Sequence, residues 1–584
     1  MTANGWTTKG DFTKVMGRHT VKIGAEFNKV GEAQDIQFGV IHMRSNETNS
    51  LVDGTSGDAL ASFLIGTPND ATKRNLVESL GFGGVFGAYI QDQFQVSQKL
   101  TVNAGIRYDL ALIPKYGTPA ANNQASGNFD FNNGTYIVYK VPGSCATLGN
   151  APCIPTANGS LPDHVVASTD GDKVLQNTPL NFQPRFGAAY RLTSTTAIRG
   201  GFGVAFDDYA AIVQNVRGVS GNWPSVGQIQ QTNFNLPTAA DPFPGITPQT
   251  IPNLTSLPPP TPFGLTNWYV DPNLKNAYSL QWNLGVQRQL NRATVASATY
   301  VGSANRRLDV GGFYNVALTP GPGDPTLRRP YPYITSTFYS KSNGEGNYNA
   351  LQVQLNRYFS NGLAATVAYT WSKSIDEGCS GFFGSEGCDV QQIYNIRAER
   401  SVSAFDVPQH LVGTWNYQLP IGTGKLLNLS NRVVDTVLGN WQFNGLAQFS
   451  SGTPYSVHIS ADIANIGNGG YERPNVVGNS KPQGQNANNW LNAAAFAIPD
   501  LYTYGDMGRN SLRTQFSQDF DLSLFKEVPF TERFRLQLKA ETFNAFNHKI
   551  FGQPASTLDA NNFGVISSTA STARQLQLGA KLSF

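Results

Sequence analysis

Charge is scarce in this chain: only 14% of its 584 residues are Asp, Glu, Lys or Arg. Methionine and cysteine are rarer still, with four of each. No stretch approaches the 18 or more consecutive apolar residues of a membrane-crossing helix, so any passage through a bilayer must use strands, whose apolar residues are diluted by alternation. The net charge of +3 singles out no partner, and no nucleic-acid ligand is expected. The opening residues Met1-Thr-Ala-Asn-Gly-Trp6 lack a basic stretch followed by an apolar one, so no export signal is expected in them.

Enzyme signatures are missing too. The six histidines, His19, His42, His164, His410, His458 and His548, stand singly, and none belongs to an H-E-x-x-H pair. No G-x-S-x-G elbow occurs. Gly422-Thr-Gly-Lys425 imitates the end of a phosphate loop, but Leu419 stands where the first glycine is needed and Leu426 where Ser or Thr is needed. Gly81 to Gly87 fails the dinucleotide spacing and leads into a strand. Asp406-Val-Pro408-Gln-His410 looks like a catalytic pair but reads as a strand entry. No catalytic residue, metal ligand or cofactor is expected.

Glycine and aromatic residues are plentiful: 59 glycines and 11% Phe, Trp and Tyr describe an all-β chain with many turns. Its strands are legible from their two-residue period. Val21, Ile23, Ala25 and Phe27 alternate with Lys22, Gly24, Glu26 and Asn28. Val102, Ala104, Ile106, Tyr108 and Leu110 alternate with Asn103, Gly105, Arg107 and Asp109. The period recurs in Tyr278 to Val286, Leu351 to Leu355, Leu363 to Trp371 and Phe520 to Leu524. Around Phe534, Leu536 and Leu538 the opposite face carries Arg535, Gln537, Lys539 and Glu541.

Connection lengths alternate as well. Short links fall at Gly17-Arg18, 97–99, 193–196, 291–293, 360–362 and 529–532, each joining two alternating segments as a hairpin. Between them lie long segments rich in Gly, Asn, Pro and Ser, at about 31–82, 111–180, 208–275, 304–346, 372–409, 451–517 and 547–573. A compact soluble domain seldom carries so many long loops, whereas a transmembrane β-barrel of the outer-membrane type has short periplasmic turns and long external loops. The intermediate link 420–440 takes the periplasmic side by its place in the order. Counting back from the end gives about 15–16 strands of a barrel of about 22, the first descending near 10–15. Barrels close with an even number and begin with an ascending strand, so the expectation is a barrel whose upstream portion is absent.

Aromatic residues suit two interfacial belts: Tyr108, Tyr278, Tyr369 and Trp371 at the upper strand ends, Tyr190, Trp441 and Phe584 at the lower. The cysteines fall in two close pairs, Cys145 with Cys153 and Cys379 with Cys388, each within one external loop. Two disulfides are expected; metal binding would need more Cys or His at tight spacing. The closing run from Gln577 to Phe584 alternates apolar and polar residues. Its Gln577, Gly579, Leu582 and Phe584 resemble the signal that the barrel-assembly machinery recognises.

Longer segments carry a family resemblance. Val270 to Asn276 followed by Gln281-Trp-Asn283 and Val286 to Leu290, then Asn347 to Gln352, Ala368 to Lys373, Phe405-Asp406 with His410, and Glu541 to His548 resemble the TonB-dependent transporter family of Oar-like outer-membrane proteins. Tyr89 to Asp92, Leu100 to Tyr108 and Pro184 to Gly187 fit as well. The resemblance extends from Gly17-Arg-His19 to Phe584. It implies energy-coupled passage of a large ligand across the outer membrane, with a plug domain, the TonB complex and outer-membrane lipid as partners. Family members carry a carboxypeptidase-regulatory-like domain and a plug before the barrel, and neither is recognised in 1–584. On the strand reading, the lumen wall carries Lys22, Glu26, Arg107, Asp109, Arg185, Arg191, Arg199, Asp519, Asp521, Arg535, Lys539 and Glu541, mixed charges that suit holding a plug as well as touching a ligand. Two other readings stay open, a structural or adhesive surface protein and a passive porin. Carbohydrate, peptide and iron chelate all remain candidate ligands.

Overall fold

The computed structural model describes residues 2–35, 39–48, 57–68, 70–74, 78–113, 126–148, 153–154, 156, 158–169, 175, 178–207, 222–224, 228–232, 268–334, 336–378, 390–468, 472–531 and 533–584. A 17-stranded sheet dominates it. Two of its members, Trp268–Val270 and Ser401–Val402, are short loop pieces, which leaves fifteen long strands. In chain order these are β1 (Thr2–Met16), β2 (His19–Asp35), β3 (Glu78–Gln95), β4 (Leu100–Leu112), β5 (Thr178–Arg191), β6 (Thr196–Phe206), β7 (Tyr278–Asn291), β8 (Thr294–Tyr314), β9 (Thr337–Ser360), β10 (Leu363–Asp376), β11 (Gln409–Gln418), β12 (Trp441–Ser450), β13 (Ser517–Pro529), β14 (Arg535–Phe543) and β15 (Gln575–Ser583). Each pairs antiparallel with the next. Among the described residues no pairing joins β1 to β15.

The meander puts all short links at one end of the sheet and all long ones at the other. Asn361-Gly362, between β9 and β10, has positive φ at both residues (51° and 78°), the two-residue turn whose twist matches that of the flanking strands. The link between β11 and β12 lies at the same short-turn end and contains a helix, Arg432–Leu438.

Several strand boundaries differ from the periodic reading. The first strand is not confined to 10–15: pairing runs from Thr2 opposite Ala33 to Met16 opposite His19, because the register of β2 carries a threonine-rich segment with little period of its own. The strand β8 also runs about ten residues past its expected end and β9 begins about ten residues early, through register shifts around Arg306 and Leu308. Their extra length is buried in the loops rather than in the wall: Val310, Tyr314 and Tyr339 are inaccessible.

The hydrophobic core sits where a soluble β protein would not have it. Large apolar side chains on one face of the sheet are exposed, among them Ile23, Ile90, Phe186, Leu284, Val353 and Leu578. Packed cores occur instead among the long loops. Phe129, Tyr136, Tyr269, Tyr314, Ile334, Tyr339 and Ile466 form the largest, and Tyr455, Val457, Leu491, Phe496 and Met507 another. Buried ion pairs tie loop to loop beside them: Arg473 Nη1 lies 2.8 Å from Glu399 Oε2, Arg509 pairs with Asp376, and Arg513 with Asp406.

Because Glu399 is fully buried, Arg473→Met removes the cation from a carboxylate that also accepts the amides of Gln391 and Gln392. Losing one partner of a buried pair costs about 3–5 kcal/mol. Hydrogen exchange in 390–400 and 472–477 is therefore expected to accelerate sharply in that variant while β7 to β10 stay protected; unchanged exchange in the loops would mean the pair is not what holds them together.

Candidate functional site

Register decides which side chains share a face, since residues directly opposite in an antiparallel pair project to the same side. Lys22 lies opposite Gln91, Gln91 opposite Gly105, Gly105 opposite Arg185 and Arg185 opposite Gly203. Glu26 is linked in the same way through Gly87 to Asp109, and Arg107 through Tyr89 to Gly24. Arg191 and Arg199 fall on this face too. At the other end of the sheet Asp519, Asp521, Arg535, Lys539, Glu541, Gln577 and Gly579 project to the same side. The opposite face carries the exposed apolar residues. Tyr108, Tyr190, Tyr278, Tyr369, Trp371, Trp441 and Leu582 belong to it, and Phe584 follows the last strand with its ring exposed.

The polar face is most tightly organised across β2, β4 and β5. Arg107 Nη2 donates to Glu26 Oε1 at 2.5 Å, and its Nε to Asp109 Oδ2 at 2.8 Å. Gln183 donates to the same Asp109 oxygen. Asp109 is almost fully buried, so the guanidinium and the amide compensate a carboxylate that water does not reach. Lys22 lies 3.5 Å from Asp11 and 5.9 Å from the ring of Tyr89. Arg185 and Arg199 form no ion pair with the described residues and project freely from the wall. A depression of about 290 Å³ lined by Lys22, Tyr89, Gln91, Arg107 and Arg185 opens on this surface, and the sum of its charges is positive.

Nearer the long loops a second depression, about 350 Å³, is lined by Tyr348, Gln352, Thr370, Ser372, Ser374, Phe405 and His410. Its polar groups are mainly hydroxyls, beside the apolar surfaces of Phe405 and Val407. Asp406, at its edge, accepts the Ser374 amide at 2.6 Å and is neutralised by Arg513, while His410 lies 3.1 Å from Gln448. Asp406 and His410 thus hold structural partners, in keeping with their reading as a strand entry. Among the described residues no group of three or more His, Cys, Asp or Glu is placed to hold a metal. Cys153 is disulfide-bonded. Cys379 and Cys388 lie outside the described residues.

Periodicity missed the buried charges above this face. Glu472 is inaccessible, accepts the amides of Ile463 and Ala464, and neighbours Asp462, which holds the amides of Ile466 and Gly467. Burial first, and then the hydrogen bond with Asp462, pushes the Glu472 carboxyl up to about 8. The only sequence signal was an acidic residue in a loop where charge is rare.

The family described as "Outer membrane beta barrel domain" matches residues 1–577. No curated protein sequence matches the chain. Among solved structures, the outer membrane transporter YddB from Escherichia coli is similar with a TM-score of 0.51 at 11% identity, over 100% of this chain and 54% of that one. The copper transporter OprC has a TM-score of 0.44 at 10% identity, over 100% and 57%. For the FrpB iron transporter from Neisseria meningitidis, F3-3 variant, the values are 0.42 and 10%, over 98% and 53%. The chain spans about half the length of these structures, and the likeness, resting on YddB, is one of fold.

Glu472 sets an expected pH dependence. Its folded-state carboxyl holds a proton that the unfolded chain releases above its ordinary value of 4.5. The contribution is therefore fully present below that pH and is lost as pH rises toward about 8. The melting temperature of the wild-type loops should fall across this window, and in Glu472→Gln that fall should flatten; parallel wild-type and variant profiles would rule the residue out as the titrating group.

Proposed function

We propose, from the premise that the chain belongs to the outer membrane β-barrel domain family, that it is the wall and external mouth of a receptor or transporter that passes a large ligand across the outer membrane by an energy-coupled route. The protein resides in the outer membrane. One observation carries the transport reading: a continuous antiparallel sheet with an exposed apolar face and a face bearing Lys22, Glu26, Arg107, Asp109, Arg185 and Arg199. Lipid suits the first face, and a hydrated passage or an inserted plug suits the second. Arg107, held between Glu26 and Asp109, stiffens the wall, whereas Arg185 and Arg199 offer free guanidinium groups to an acidic surface of a plug or a ligand. In this reading TonB supplies the energy through a plug, and the barrel-assembly machinery inserts the chain through its Gln577 to Phe584 ending.

A second reading has its own support. The long loops form packed aromatic cores rather than loose connections, which suits a structural or adhesive surface protein. Depletion of solutes from a mixed medium separates the readings when the intact gene and its deletion are compared. Energy-coupled transport predicts uptake that depends on the gene and stops with a protonophore or without TonB. Uptake that survives the protonophore identifies a passive pore, and lost cell adhesion with unaltered uptake identifies an adhesin.

The apolar face makes a separate prediction. Leu284 lies midway along β7 and is exposed, so Leu284→Arg puts a guanidinium among acyl chains at a cost of about 2–4 kcal/mol. Unfolding by denaturant in phospholipid vesicles measures it. A neutral result there would mean that this face does not meet lipid.

A further inference from the structure

The link between β11 and β12 is a folded unit with its polarity reversed. Asn431 caps the helix Arg432–Leu438 by accepting the amides of Val433 and Val434 at 2.9 and 3.2 Å. Asp435, the helix's acidic residue, turns inward and accepts the amide and hydroxyl of Thr423 at 2.9 and 2.8 Å. The remaining face carries Val433, Val434, Val437 and Leu438, four apolar side chains at helical spacing, and it is open. Val433 is 74% exposed and Val437 59%, and Leu426 in the preceding turn is 86% exposed. A helix on a water-facing surface would show the opposite arrangement.

Its attachment shows which way the open face looks. Trp441 projects from the apolar side of β12, and its indole Nε1 donates to the carbonyl of Val437 at 2.9 Å. Lys526, opposite Trp441 on the same side of β13, donates to the carbonyl of Gly439, and its ammonium lies 5.6 Å from the Trp441 ring centre. Two side chains of the lipid-facing surface thus pin the end of the helix to the foot of that surface. The helix end at Val437 therefore adjoins the apolar side of β12 through Trp441. Arg432 opens the same helix and Lys425 lies in the preceding turn, whereas Lys526 is buried on the Gly439 carbonyl and Asp435 is engaged within the loop.

We infer that the segment 420–440 is an interfacial anchor that lies in the phospholipid leaflet at the short-turn end, with Val433, Val437 and Leu426 among the upper acyl chains and Lys425 and Arg432 at the phosphates. The occupant of the patch is lipid, and the anchor operates whether the barrel transports or adheres. It fixes the height of β11 and β12 in the membrane, as interfacial aromatic and basic residues do elsewhere.

Nitroxide labels on single cysteines test this in vesicles of phosphatidylethanolamine and phosphatidylglycerol that contain no other protein. The labelled sites are Val433→Cys and Val437→Cys, with Leu284→Cys as the lipid reference and Lys481→Cys in the loops as the water reference. The unsubstituted chain, labelled in parallel, gives the background. Both helix labels are expected to collide with oxygen in preference to a water-soluble nickel chelate, as at Leu284. Chelate accessibility equal to that at Lys481 would overturn the anchor and leave the patch for a protein partner. If one cysteine variant fails to fold, the other decides the outcome alone.

Discussion

In hydrocarbon no water is present to satisfy a backbone amide or carbonyl, so each must find its partner within the protein. An antiparallel meander meets that requirement strand by strand, and the other features of this chain follow from it. With the backbone satisfied by neighbours, side chains divide by parity into an apolar face and a polar one. A soluble sheet would bury the apolar face against a second layer. Here Ile23, Phe186, Leu284 and Val353 stay exposed because lipid is their second layer.

The same constraint displaces the packed core. With the apolar face of the wall committed to lipid, side-chain packing concentrates where the long loops meet beyond the membrane. There the aromatic cluster around Phe129, Tyr136 and Tyr339 is as dry as the interior of a soluble domain. Buried charges specify how those loops meet. Arg473 with Glu399, Arg509 with Asp376 and Arg513 with Asp406 join the end of β10 and the segment after it to the segment after β12, and a different loop arrangement would strand one member of each pair.

On the polar face, charge is partly neutralised and partly left free. Arg107 is held by Glu26 and Asp109, so its guanidinium stiffens three strands rather than reaching outward. Arg185 and Arg199 form no such pair among the described residues and give the wall its reach. The upper depression, lined by hydroxyl-bearing and apolar side chains, differs in chemistry from the charged one below it.

Much of this was legible in the residues alone. Alternation assigned Lys22, Arg107, Arg185 and Glu541 to one face, because parity along a strand is a local property that no tertiary contact alters. Loop length assigned the ends of the strands for a similar reason: a meander reverses at every link. Local sequence could not show where β8 stops or β9 starts, since the last ten residues of one and the first ten of the other are held by packing against loops distant in the chain. Nor could it show that Glu472 and Glu399 are buried, or that the open face of the helix Arg432–Leu438 stands at the foot of the wall beside Trp441. Burial is a property of what arrives from elsewhere. The sequence by itself determined the strands, their faces and their order; the tertiary structure alone decided which loop residues lost their water and which apolar residues kept an open surface.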